Sequence, residues 1–199
     1  MKVQRLVCVT SVVAAFFLAI LPAIGERPAA AIEQETTSRN NLKAIYDDDQ
    51  NDRTNINAAS MRRDAERREQ VHRLLNEGRV QSGEDYFYAA MVYQHGQTPQ
   101  DYLLAHVLAM TSVAKGDKDG IWLAAATLDR YLQSIKEPQI FGTQYFQWGK
   151  NPYSQEPYDK DLVSDSLRAA WCVAPYSTQI ENLKALNDGK DFQSSRVCK

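Results

Sequence analysis

Helix starts and helix stops alternate along this chain at intervals of one to two dozen residues, a rhythm few folds can accommodate. Thr98-Pro99-Gln100-Asp101 combines an N-cap, a proline at the first helical position and an acid in the first turn. The helix it opens is expected to run to Lys115 and stop at Gly116. Ser82, with Asp85 three residues on, has the form of a capping box for EDYFYAAMVYQH, which Gly96 ends. Ser60 precedes the charged segment MRRDAERREQVHRLLNEG, with Ala65, Val71, Leu74 and Leu75 inward and Gly78 at the stop. Asp117 or Asp119 starts the next helix, through Ile121 to about Lys136, ahead of Pro138. Two more are expected, one from near Asp161 to Val173 before Pro175, the other capped by Thr178 and Glu181 and ended by Gly189. No stretch alternates with period two between turn pairs, so no strands are expected.

Helices of this length joined by short turns form antiparallel hairpins, which makes the expected fold all-α. YAAMVYQHG and LAMTSVAKG, about twenty residues apart, loosely resemble tetratricopeptide or Sel1-like hairpins, although the full consensus is absent. One segment breaks the pattern. Gln139 to Tyr158, QIFGTQYFQWGKNPYSQEPY, is rich in Gln, Gly, Tyr, Pro and Trp. An irregular stretch of that length inside one domain is usually functional or wrapped over a surface. It is expected to fold over the mouth of a hairpin as a lid.

The first thirty residues read as an export signal. Lys2 and Arg5 give a positive start, Leu6 to Ile20 is uncharged and apolar, Pro22 breaks the run, and Ala29-Ala30-Ala31 supplies small residues for cleavage. The expected organisation is therefore a signal peptide over 1–31, a flexible lead-in over 32–41 and one helical domain over 42–199. The apolar run is also nearly long enough for an uncleaved membrane anchor, which is the alternative. Cleavage after Ala31 leaves 20 basic and 24 acidic residues, with no basic stripe to suggest a nucleic-acid partner. The mature form is expected to be periplasmic or secreted, with no membrane span. Cys8 leaves with the signal, and Cys172 and Cys198 remain as an even pair suited to an oxidising compartment. They are read as a disulfide pinning the tail to a helix, against the alternative of two thiols.

Polar residues on apolar faces give the candidate site. The helix after Thr98 is expected to bury Leu103, Val107, Met110 and Ala114, with His106 on the same face. The next helix is expected to bury Ile121, Ala125, Leu128, Leu132 and Ile135, with Asp129 leaning inward. In a hairpin turning at GDKDG, His106 and Asp129 lie equally far from the turn. They are expected to meet and hydrogen-bond, orienting the imidazole as a general base for water. Ala89 and Ala90 would leave room above it. The alternative is a core polar pair without chemistry. His95 at a helix end suits the dipole as readily as a site, and His72 is expected to be solvated.

No GxSxG, HExxH, paired CxxC, Walker loop or GxGxxG occurs. Neither a cofactor nor a metal is expected. Asp47 to Asp52 opens like a calcium loop but lacks the turn glycine, and Ala58 stands where the bidentate Glu belongs. Asp49 and Arg53 have the spacing of a helix-surface salt bridge.

Gln94-His95-Gly96, His106 with Leu108-Ala109, Leu128-Asp129-Arg130-Tyr131-Leu132, then Gln139 and Phe141-Gly142-Thr143-Gln144 resemble the ordered signature QHG, AHxLA, LDRxL and GTQ of an exported bacterial family of unknown function. The resemblance spans about residues 84–146. It implies a helical domain with a polar cluster drawn from four segments, and no reaction. The expected site therefore has His106 and Asp129 in catalytic roles, with Gln94, His95, Arg130, Gln139 and Gln144 holding a small polar ligand that is anionic or amide-bearing. The alternative function is a non-catalytic helical module that binds an envelope protein or peptide through its concave surface and the aromatic segment 141–158.

Overall fold

Local capping chemistry places most of the helix starts. In the computed structural model, residues 29–54, 57–192 and 194–198 are described, the first twelve by their backbone alone. Their order is α1 Ala29–Asp52, α2 Ala58–Asn76, α3 Gly83–Tyr93, α4 Pro99–Ala114, α5 Gly120–Ser134, α6 Asp165–Ala170 and α7 Tyr176–Asn187. The fold is all-α. Pairing outside helices is confined, among the described residues, to isolated bridges such as Phe146 with Ser154.

The capping boxes Ser82–Asp85 and Thr98–Asp101 both form, with Pro99 in the first turn of α4. Other boundaries differ from expectation. The N-cap of α2 is Asn57, and Ser60 is the third residue of that box rather than the cap. Ser164 caps α6, so the segment before it is irregular, and α6 is one and a half turns long. Pro175 rather than Thr178 precedes α7. Residues 32–41, expected as a flexible lead-in, lie within α1. The expected signal lies outside the described residues apart from Ala29–Ala31, which belong to α1. No described helix is long and apolar enough to cross a membrane.

Helices α3, α4 and α5 pack as successive neighbours, with α1 and α2 against α3. Small residues let them approach closely. Ala89 and Ala90 of α3, Ala105 and Ala109 of α4, and Ala124 and Ala125 of α5 are all fully buried. At Gly120 an added Cβ would stand 2.7 Å from the Ala109 carbonyl, so only glycine permits that crossing. Leu42 and Ile45 dock α1 onto this core beside Val71 and Leu74 of α2. Each such side chain contributes roughly 1.5–3 kcal/mol on burial.

The buried faces of α2 and α4 are not the expected ones. On α2, Asp64 and Arg67 are buried and Ala65 is exposed. On α4 the core side is Ala105, Leu108, Ala109 and Ser112. Leu103, Val107 and Met110, expected inside, are exposed, Val107 at 51 %. The apolar residues of α4 run around most of its circumference, so periodicity could not choose between faces. Packing against both α3 and α5 chose the face with the alanines.

Candidate functional site

Asp129 organises the irregular segment. It is fully buried near the C-terminal end of α5. Its Oδ1 accepts from the backbone N–H of Ile140 (2.9 Å) and Phe141 (3.0 Å). Its Oδ2 accepts from the Thr143 N–H (2.9 Å) and hydroxyl (2.7 Å). Burial pushes the carboxyl up, against the pull of those four donors. Asp129 thus plays the part of a helix cap for a segment without a helix, satisfying donors that would otherwise be buried unpaired.

The expected meeting of His106 and Asp129 does not occur. The His106 Nδ1–H donates to the Ala124 carbonyl at 2.9 Å. Ala124 lies five residues before Asp129, roughly 7.5 Å along the helix. The hairpin is therefore shifted relative to a symmetric turn, because the contact of Gly120 with Ala109 and Ser112 fixes the register. Asp129, on another side of α5, turns to the segment after Pro138.

Buried amides hold that segment. Gln139 Nε2 donates to the carbonyls of Gln144 (3.0 Å) and Gln155 (2.5 Å), and its Oε1 accepts from the Gln144 N–H (3.0 Å). Gln155 donates to the Gly142 carbonyl at 2.7 Å. Gln179 of α7 donates to the carbonyls of Phe141 (2.9 Å) and Ala174 (2.8 Å) and accepts from the Tyr158 hydroxyl at 2.9 Å. Gly142 has φ +79°, and a Cβ there would collide with Gln179 and Tyr158. Gln139 is thus a positioning residue, with its side chain spent on the backbone of 144 and 155.

Two cavities, of about 480 and 330 Å³, share Arg130, Gln144 and Tyr145 in their walls. The larger adds Gln97, Tyr102, Gln133, Ser134 and Phe146. The smaller adds Gln94, Trp122, Ala126, Tyr153, Leu186 and Phe192. Both sizes suit a small organic ligand. Among the described residues no acidic side chain and no histidine lines either one. Arg130 makes no hydrogen bond or ion pair among the described residues, its Nε is buried without an acceptor, and burial pushes its guanidinium below the ordinary value. Trp122 Nε1 and Gln133 Nε2 are also buried donors without an acceptor among the described residues. Burial pushes the Tyr145 phenol up to about 12, so it stays neutral.

The C-terminal tail completes the smaller cavity. Cys172 and Cys198 are joined as a disulfide. Beside it, the Ala174 N–H donates to the Ser195 carbonyl (3.0 Å) and the Val197 N–H to the Cys172 carbonyl (2.9 Å). Arg196 pairs with Asp119 at 2.6 Å. Phe192 thereby meets Tyr145 edge-on, ring centroids 5.2 Å apart.

Of the expected binding residues, Gln94, Arg130 and Gln144 come together at these cavities, and Gln139 supports Gln144. His95 goes elsewhere. Its Nδ1–H donates to the Asp49 carboxylate at 2.8 Å. Asp49 is fully buried, not on a helix surface, and Arg53 and Arg67 lie 3.5 and 3.6 Å from it. Arg67 also pairs with Asp52 (2.7 Å) and Asp64 (2.6 Å), and Arg53 with Asp64. This charged cluster fastens α1 to α2 and to the end of α3. Trp122, Gln133 and Phe192 were not anticipated, and Tyr145 was expected only within the aromatic segment of the alternative reading. A stripe on α5 could have found the first two: Trp122, Ala126, Arg130 and Gln133 recur at helical spacing along one side.

Among the described residues no group of three metal-ligating side chains converges. No family model, curated protein or solved structure matches the chain.

Proposed function

We propose that this is an exported binding protein for a small polar ligand, held in the paired cavities around Arg130. The observation that carries the reading is Arg130 itself. A guanidinium partly withdrawn from water, its Nε sealed off without an acceptor and no counter-charge beside it among the described residues, is costly, and a ligand acceptor would offset that cost. Binding is favoured over hydrolysis because, among the described residues, the cavity walls offer one cation, neutral amides, hydroxyls and phenols, and no general base. The disulfide supports an oxidising compartment, periplasmic or secreted. The ordered QHG, AHxLA, LDRxL and GTQ motifs support the same assignment, since Gln94, Arg130 and Gln144 stand in three of them. The test is a thermal-shift screen of the mature protein against metabolites and cell-wall fragments. A hit that stabilises wild type and not Arg130→Met is expected; hits indifferent to Arg130 would sink the reading.

One observation favours a second reading, a helical module binding an envelope protein or peptide. Leu103, Val107 and Met110 stand uncovered on α4, and Trp148 is 75 % exposed on the aromatic segment. That reading expects a captured partner lost on Val107→Asp or Trp148→Ala and retained in Arg130→Met.

A further inference from the structure

We infer that the ligand is a monocarboxylate carrying an aromatic or bulky apolar arm and no free amine, the chemistry shared by an N-acylated aromatic amino acid and the C-terminal residue of a peptide. This rests on the cavity reading above and deepens it.

The charge of the ligand follows from the walls. Among the described residues Arg130 is the one charged side chain lining either cavity, and it belongs to both. One guanidinium balances one negative charge, and its planar fork matches a carboxylate. A phosphate dianion would be left with a surplus charge in a site where the described residues supply no second cation. A free amino acid fails for the opposite reason, because its ammonium would meet no carboxylate. The neutral donors Trp122 Nε1 and Gln133 Nε2, both buried without an acceptor among the described residues, flank Arg130 one on each side along α5.

The arm and the polar end follow from the difference between the cavities. Trp122, Ala126, Tyr145, Tyr153, Leu186 and Phe192 make the smaller one largely apolar, and its volume of about 330 Å³ takes an aromatic side chain with room to spare. Gln97, Tyr102, Gln133, Ser134 and Gln144 make the larger one a lining of amides and hydroxyls. Such a lining fits an acyl amide or the preceding peptide unit. Arg130 lies in the wall common to both, where the carboxylate of such a ligand would sit.

The experiment titrates the purified, disulfide-bonded chain with N-acetyl-phenylalanine, N-acetyl-phenylalaninamide, phenylalanine, phenyl phosphate and acetyl-Ala-Ala-Phe. Affinity is read by calorimetry and location by the indole N–H resonances of Trp122, Trp148 and Trp171. The two carboxylates with an acylated amine are expected to bind and to shift Trp122 and not the exposed Trp148. The amide, the free amino acid and the phosphate are expected to bind at least tenfold more weakly. Arg130→Met is expected to lose at least tenfold in affinity for N-acetyl-phenylalanine with an undiminished melting temperature, and Arg130→Lys to recover only part of it. Tighter binding of the tripeptide assigns peptide ends; equal binding assigns the small acid; both support the inference. If the amide or the phosphate binds as well as the acid and still shifts Trp122, the carboxylate inference is overturned while the cavity reading stands. If no probe shifts Trp122, the inference is overturned, and the cavity reading is judged by the wider screen.

Discussion

Asp129 and Arg130 are neighbours in sequence and meet opposite conditions. The aspartate has four hydrogen-bond donors, and the arginine has no partner among the described residues. Asp129→Asn would turn an amide N–H₂ toward donors that need an acceptor. We expect it to cost about 2–3 kcal/mol, the range for hydrogen bonds to a charged group. His106→Ala removes one bond to a carbonyl at a half-buried position and should cost about 1 kcal/mol. Urea unfolding of the two variants checks this; equal costs would contradict the structural role given to Asp129. Arg130→Met behaves the other way. Removing a partly desolvated cation that has no partner among the described residues should stabilise the protein by about 1 kcal/mol, or roughly 3 °C in Tm for a domain of this size. A fall in Tm would mean that Arg130 is a structural residue.

At the scale of elements, the segment between α5 and α6 adds side-chain amides to two isolated backbone bridges. Gln139, Gln155 and Gln179 take up the carbonyls of Phe141, Gly142, Gln144 and Ala174. A Gly142→Ala change should be severe, since its φ is +79° and the added carbon meets Gln179. We expect a loss of about 2 kcal/mol or more, read by the urea midpoint, with collapse of ligand binding because Gln144 loses its place. The tail is a second such element. The disulfide closes a 26-residue separation, which the loop-entropy relation values at about 3.5 kcal/mol. Cys172→Ala with Cys198→Ala should lose about that much and release Phe192 and Ser195 from the smaller cavity. Ligand affinity should fall in step, and a reduced protein that binds as tightly as the oxidised one would show that the tail is no part of the site.

Across the whole molecule, the charged cluster of α1 and α2 sets the acid limit of stability. The Arg63 and Arg67 hydrogen bonds hold the Asp52 carboxyl well below the ordinary range. At Asp64 burial pushes upward, and the Arg53 and Arg67 guanidinium groups overcome it to bring the carboxyl down. Carboxyls lowered in the folded state stabilise the protein above their unfolded value of 3.8, and that contribution is lost as pH falls through the folded values. Urea midpoints should therefore change little between pH 7 and pH 5 on account of this cluster and drop below about pH 4. Asp52→Asn should lower stability at pH 7 and flatten the drop. An unchanged slope would assign acid sensitivity elsewhere.

The helices from α2 to α7, their order and several of their ends were legible in the sequence, whereas α1 was not: residues 32–41 were expected as a flexible lead-in and lie within it. Capping acts within four residues, so Ser82–Asp85 and Thr98–Asp101 carry their instruction locally. The inward lean of Asp129 and the irregularity of the segment after Pro138 were legible from equally local patterns, and the cysteine pair, 26 residues apart, from the even count that an oxidising compartment would join. The partners of Asp129, His95 and His106 were not. The partner of His106 depends on the register between α4 and α5, fixed where Gly120 meets Ala109 and Ser112; that of His95 depends on how α1 packs against the end of α3, and those of Asp129 on the path of the chain after Pro138, and capping patterns read over four residues reach none of these. The exposed face of α4 was illegible too, because a helix apolar nearly all round can turn any side inward until its neighbours decide. Tertiary packing alone saturated one member of the Asp129–Arg130 pair and left the other facing a cavity, and on that difference the candidate site depends.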